Sequence, residues 1–368
     1  MSDLFTRYTA LKNSGSHTYF AGANTADGFA GAYEDFIGEP ELTRLYILKG
    51  GSGTGKSSLM KACAERAVQR GAEVTTLLCS SDQSSADAVI LRGNGRSVAI
   101  LDGTAPHTRD PLLPGAVSCI VNAGDHWNAS ALQKQREEIT LRTLEKKAAY
   151  ERAYRFLGAY RHLTDVLHQL LLPCLDTEKM AAAADRIVSS FSAGEEGAVK
   201  TRYTYALSMT GAWHLPTFSE RAKTQFRILD GYGSGCLFLQ MLSRKLSRHG
   251  TVLFSPVPAC PDMPAELFCE NAEASFSLAD ERTEAQDGVR YVNMQRFLDR
   301  KELAGVRARL RFTDRCRQTL FDGALESLAD ARRAHFALEE IYKSAMDFES
   351  LSREKDRLCD EIGELLGI

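Results

Sequence analysis

The stretch RLYILKGGSGTGKSSLMKACAERA, residues 44–67, constrains the fold more than any other. Residues 45–48 read as a short buried strand. Residues 50–57 fit the spacing G-x-x-x-x-G-K-[ST], and Leu59, Cys63 and Ala67 then recur at helical intervals. Strand, glycine loop and amphipathic helix in that order belong in an α/β sheet. Each part has a physical task. Glycines let backbone N–H groups curl around phosphate oxygens, and the helix start adds the positive end of its dipole. Gly50, Gly51, Ser52, Gly53, Thr54 and Gly55, with Lys56, Ser57 and Ser58, are therefore the expected nucleotide-binding set. Lys56 is expected to reach the β- and γ-phosphates of ATP, and Ser57 to ligate Mg²⁺. The plainer alternative is a glycine-rich turn.

Such a loop needs a metal-holding carboxylate on a neighbouring strand. In SVAILDGTAPH, residues 98–101 form an apolar run that ends on Asp102, the expected Mg²⁺ carboxylate. The alternative is a turn-forming Asp before Gly103, a position where many ATPases carry a catalytic Glu. Residues 74–78 read as a further strand whose carboxyl end leads into CSSDQSS. Ligands of open α/β sheets sit at those ends, so Asp82 is a candidate general base. The alternative for Asp82 is a turn that ends the strand. His107 follows closely and is a candidate contact to phosphate or transition state. Arg92 and Arg96 are weaker phosphate candidates; loop arginines more often only meet solvent.

The first loop has an echo. ILKGGSGTGKSSLMKACAERAVQRG matches ILDGYGSGCLFLQMLSRKLSRHG, with Gly53 and Gly55 facing Gly233 and Gly235, while Cys236 and Leu237 replace Lys56 and Ser57. VAILDGT faces FSLADER, setting Asp102 against Asp280. YFAGANT faces TYALSMT, and a helical stretch around Asp176 faces one around Asp347. Four matches in one order, at offsets from 171 to 185, indicate internal duplication. The expectation is two tandem P-loop NTPase-like α/β units with mainly parallel sheets, residues 1–195 and 196–368, the second degenerate. Each unit starts with a strand, a short helix, the loop strand, a loop, a helix and two more strands. Each then ends in a helical hairpin segment, residues 132–191 and 301–366, and the boundary falls in SAGEEGAVK, residues 192–200. The segment PGAVSCIVNAGDHWN fits strand or helix equally well. The second loop lacks a phosphate-binding cation and a metal ligand, and Asp230 stands where the first has Lys49. It is expected to persist for packing, with one nucleotide bound per chain.

Length and composition suit two globular domains: 368 residues, 44% hydrophobic and 25% charged. A net charge of -3 provides no general attraction to nucleic acid or acidic membranes, and the arginines around residues 296–317 read as a solvated helix face. MSDLFTRYTA has no apolar core of signal-peptide length, and no stretch approaches the roughly 20 apolar residues of a membrane helix. The nine cysteines are dispersed, with no CxxC pair, which points to reduced thiols and a cytoplasmic location.

Together, YFAGANT, LKGGSGTGKSSLMK, CSSD, AILDGTAPH, DPLLPGAV and NAGDHW resemble a bacterial family of tandem-repeat P-loop ATPases, along nearly the whole chain. The resemblance implies ATP binding and hydrolysis. In that family the second unit often keeps its Lys-Ser/Thr pair, which this chain lacks. Three functions stay open: an ATPase that drives a movement of its helices or of a protein partner, a small-molecule kinase with Asp82 as base, and a scaffold that holds ATP without turnover. GTP is disfavoured because no N-K-x-D motif is present, and no LSGGQ-like stretch points to an ABC-type cassette.

Overall fold

The computed structural model describes residues 7–11, 17–105, 108–192 and 194–368. Among the described residues, the twelve strands of two six-stranded sheets and six main helices fall into two series; a three-stranded and a two-stranded sheet lie beside them. The first contains β1 (Thr18–Phe20), β2 (Arg44–Lys49), α1 (Lys56–Gln69), β3 (Glu73–Leu78), β4 (Ala86–Gly93), β5 (Arg96–Asp102), β6 (Ser118–Asn122), α2 (Arg136–Leu171) and α3 (Thr177–Val188). The second contains β7 (Val199–Thr201), β8 (Thr224–Asp230), α4 (Gly235–Leu246), β9 (Val252–Val257), β10 (Cys260–Cys269), β11 (Ala274–Asp280), β12 (Val289–Asn293), α5 (Arg300–Ser344) and α6 (Phe348–Leu366).

The strand order is β1-β3-β4-β5-β2-β6 in one sheet and β7-β9-β10-β11-β8-β12 in the other. Adding six to every label of the first sheet gives the second, so the duplication extends to topology. Each sheet is mixed but mostly parallel. β2 runs parallel to β5 and β6, and β1 to β3, whereas β4 is antiparallel to both neighbours. Two strands are expected between the loop helix and the ambiguous segment, and three are found there. The missed strand, β4, lies between the two that were expected. Its turn into β5 is Asn94-Gly95, with φ of 48° and 72°. Asn-Gly with both residues in the left-handed region is the favoured two-residue hairpin turn. The ambiguous segment resolves into β6 followed by a short helical turn over Ala123–His126.

Period-two alternation explains how the first sheet is covered. Tyr46, Leu48, Val98 and Ile100 face α1. Leu45, Ile47, Ala99 and Leu101 face the opposite layer, where Phe218, Leu253 and Phe268 of the second series meet them. The helix that completes the first layer is α6, from the far end of the chain. Its Leu358, Cys359, Ile362 and Leu366 share a core with Leu59, Met60 and Cys63 of α1. Reciprocally, Met180, Ala183, Ala184 and Val188 of α3 share a core with Phe238, Leu239 and Leu242 of α4 on the second sheet. Each repeat therefore gives its last helix to the other repeat's sheet.

The long helices α2 and α5 make that exchange possible. At about 1.5 Å per residue, 36 and 45 residues are long enough to reach from one sheet to the other. They pair antiparallel: Ala149 packs with Ala331, Leu157 lies in one cluster with Phe321, and Leu171 in one with Leu303. Two isolated bridges mark the ends of the exchange, Trp127 with Met346 and Leu175 with Leu298. Asp176 and Asp347 sit at matched positions, and their side chains cap α3 and α6 by accepting from Lys179 N and Ser350 N, each at 2.9 Å. Among the described residues no helix is long and apolar enough to cross a membrane.

Candidate functional site

The glycine loop begins where β2 ends and α1 starts. Gly53 and Gly55 hold φ of 73° and 85°, a region that side chains with a Cβ rarely enter, and Gly55 stands at the N-cap of α1. Thr54 is buried and its Oγ1 donates to Gly51 O at 2.9 Å, tightening the loop. Lys56 is 9% exposed. Its Nζ donates to Gly50 O at 3.0 Å and Gly51 O at 2.7 Å, and lies 3.6 Å from Asp102 Oδ2. Asp102 is the last residue of β5, in register with Leu48 of β2, so the parallel ladder itself brings the carboxylate beside the loop. Its Oδ1 accepts from Thr104 N at 2.9 Å and from the Thr104 hydroxyl. Ser57 Oγ accepts from Ala86 N at 2.9 Å, which ties the helix start to β4. Ser52 is half-buried, and Ser58 is exposed on the first turn of α1.

The structure separates the other sequence candidates. Asp82 Oδ1 accepts from Ser84 N at 3.0 Å and from Ser84 Oγ at 2.7 Å, a local turn in the β3–β4 connection. His107 lies outside the described residues. Arg92 and Arg96 pair with Ser97 and Gly93 at the far end of the β4–β5 hairpin, away from the loop. Arg92 reaches Thr75 Oγ1 at 3.2 Å, and Arg96 caps α6 through Leu365 O at 3.0 Å.

Sequence reasoning missed several neighbours. On β4, Ala88 pairs with Leu101, the residue before Asp102, and Asp87 precedes Ala88 at the bulge where β4 meets Leu77 and Leu78 of β3. Asp87 is buried, and Tyr33 Oη donates to its Oδ2 at 3.4 Å. Burial, with Asp87 next, drives the Tyr33 phenol upward and keeps it a proton donor. Burial likewise raises the Cys79 thiol, which also hydrogen-bonds Asp87. A lone acid opening the apolar run ADAVILRG was a usable signal for Asp87. Lys146 of α2 is half-buried; burial first, then the Lys56 cation, pulls its ammonium down. Nothing in the local sequence shows that Lys146 comes near Lys56, because α2 begins eighty residues after α1.

The end of α5 lies over the loop. A Cβ on Gly53 would stand 2.8 Å from Glu339 O, and one on Gly51 would stand 2.9 Å from the Tyr342 ring. A Cβ on Gly55 would meet Leu351 of α6 at 2.7 Å. His335, hydrogen-bonded to Glu339, and Lys343 hold the Glu339 carboxyl below its ordinary range. Beside Tyr342 lies an open cleft of about 330 Å³, lined by Trp127, Leu132, Gln133, Arg136 and Ile139 among others.

The degenerate loop is covered in the same way. A Cβ on Gly233 would stand 3.0 Å from Leu167 of α2, and His168 Nε2 lies 2.9 Å from Gly233 O. This loop has four residues between strand and helix, where the first has six. Its entrance residue, Asp230, turns inward: Oδ1 accepts from Tyr232 N at 3.1 Å and Ser234 Oγ at 3.0 Å, and Oδ2 from Gly235 N at 2.7 Å. A side-chain carboxylate thus takes the loop N–H groups that an anion would need. Comparison with protein-family models, with curated proteins and with solved structures returned no match.

Proposed function

We propose that the chain is an ATP-binding protein that hydrolyses Mg²⁺-ATP at the first glycine loop and carries a pseudo-active second loop. The observation behind this reading is the meeting at 3.6 Å of Asp102, at the end of β5, with Lys56, the first residue of α1, past the loop that follows the adjacent parallel strand β2 and beside its left-handed glycines. That is the layout a triphosphate needs: loop N–H groups and a helix start for the oxygens, a lysine for the charge, and a carboxylate for the metal. Ser57 and Asp102 offer hard oxygen donors of the kind Mg²⁺ prefers. Among the described residues no group of three or more His, Cys, Asp or Glu could hold a metal alone, which suits a cation shared with phosphates and water. Ser57 and Asp102 would hold Mg²⁺, which would supply neutralisation of charge that develops in the transition state.

Lys56 must exchange its bonds to Gly50 O and Gly51 O for phosphate oxygens as the ligand enters. Lys146 supplies a second cation from α2. Asp87, buried at the same end of the sheet as Asp102, is the candidate to orient an attacking water, while Asp82 Oδ1 serves its own turn. The cleft beside Tyr342 and Trp127 gives the nucleobase aromatic and aliphatic surface next to Gly51. Calorimetric titration with Mg²⁺-ATP tests the reading. Binding by the wild type and its loss in Lys56→Ala are expected; no binding, or equal binding by both, refutes it. Phosphate release without an added acceptor is the expected turnover, and ADP formed only in the presence of an acceptor would point to the kinase instead.

A further inference from the structure

The helix that leaves the second repeat to cover the first sheet brings two cysteines together. Cys63 of α1 and Cys359 of α6 are both buried, and their sulfur atoms lie 2.7 Å apart although 296 positions separate them in sequence. A disulfide bond is about 2.05 Å long, so a small adjustment of side chains joins them. We propose that Cys63 and Cys359 form a reversible disulfide by exchange with a small-molecule disulfide of the glutathione class.

Either thiol can donate to the other's sulfur, and the guanidinium of Arg66 favours the thiolate at both positions. Arg66 is held there by Asp356 and Asp360 of α6. When α6 opens locally, a thiolate of the pair becomes the attacking group, and with Cys359 in that part the steps balance. It bonds to one sulfur of the small disulfide, whose S–S bond breaks and releases one thiolate. Cys63 then gives up its proton, and its thiolate attacks the Cys359 sulfur and expels the second small thiolate. The protein loses two protons and two electrons, and the small disulfide takes them up to become two thiols.

The bond would anchor α6 to α1. The first turns of α6 lie over the loop, with Leu351 beside Gly55. On the proposed nucleotide-binding reading, the oxidised protein holds its loop covered and exchanges nucleotide more slowly. The bond itself does not depend on that reading.

The full chain is incubated with mixtures of oxidised and reduced glutathione, without nucleotide, and followed by thiol titration and non-reducing peptide mapping. Titratable thiols in denaturant should fall from nine to seven, with the Cys63 and Cys359 peptides linked and released again by dithiothreitol. Cys63→Ala should form no such link. The oxidised wild type should melt several degrees higher than the reduced form, a shift absent from that variant. Nine thiols retained across the series, or glutathione adducts and other pairings in place of this link, overturn the proposal. A mapped link without any change in nucleotide exchange leaves the disulfide standing and counts only against its coupling to the loop.

Discussion

Ile362→Ala tests the helix exchange on which the architecture rests. Ile362 is 2% exposed and shares its cluster with Leu59, Met60 and Cys63 of α1. The substitution removes three buried carbons, worth about 0.8 kcal/mol each by transfer, or about 2.4 kcal/mol in total. A cavity penalty adds to this where close-packed neighbours relax only in part, so the expected loss is about 3–4 kcal/mol. Where α1 exchanges through local opening, that loss makes its amides exchange on the order of several hundredfold faster. Hydrogen-exchange mass spectrometry should show the change in peptides from Lys56–Gln69, although the substitution lies in the last helix of the chain. Met180→Ala is the reciprocal control. Met180 is 1% exposed against Phe238 and Leu239, so its loss should loosen α4 and the second sheet. If Ile362→Ala loosens α4 and leaves α1 protected, each repeat keeps its own last helix and the exchange is wrong.

Three further outcomes are expected. Asp87→Asn should lower ATP turnover by about 10²–10⁴ while leaving ATP binding in place, whereas Asp82→Asn should change turnover little; the opposite result in steady-state assays returns the role to Asp82. Equilibrium titration should give one nucleotide per chain, because the Asp230 carboxylate holds the second loop's N–H groups; two sites of similar affinity would exclude a self-filled loop. His168 should make stability depend on pH: burial, as the leading cause, depresses its folded-state pKa. A depressed histidine binds fewer protons folded than unfolded, so its contribution is present above the unfolded value of about 6.5 and is lost as pH falls below it. In urea titrations at pH 7.5 and 5.5, His168→Gln should lose less stability on acidification than the wild type, and an equal loss in both would contradict the assignment.

The sequence alone determined the local events. The glycine spacing around Gly53 and Gly55 located the strand–loop–helix turn, because only glycine enters those backbone angles without strain. The paired motifs revealed the duplication, and the matched orders of the two sheets repeat it in three dimensions. Apolar periodicity located the long helices, since one buried stripe every three or four residues holds whatever the stripe faces. That same indifference is why the partner of each stripe could not be read. Ile362 would be equally apolar against α4 or against α1, and only the lengths and antiparallel pairing of α2 and α5 carry α6 to the first sheet. Strand β4 escaped notice because its apolar run was read through as connection, although Asn94-Gly95 marked its end. Its antiparallel pairing joins Ala88 to Leu101 and so brings Asp87 and Asp102 to the same end of the sheet. The meeting of Cys63 with Cys359, of Lys146 with Lys56 and of Tyr342 with Gly51 was likewise decided by tertiary structure alone, because each pair is distant along the chain and no local pattern encodes contact across it.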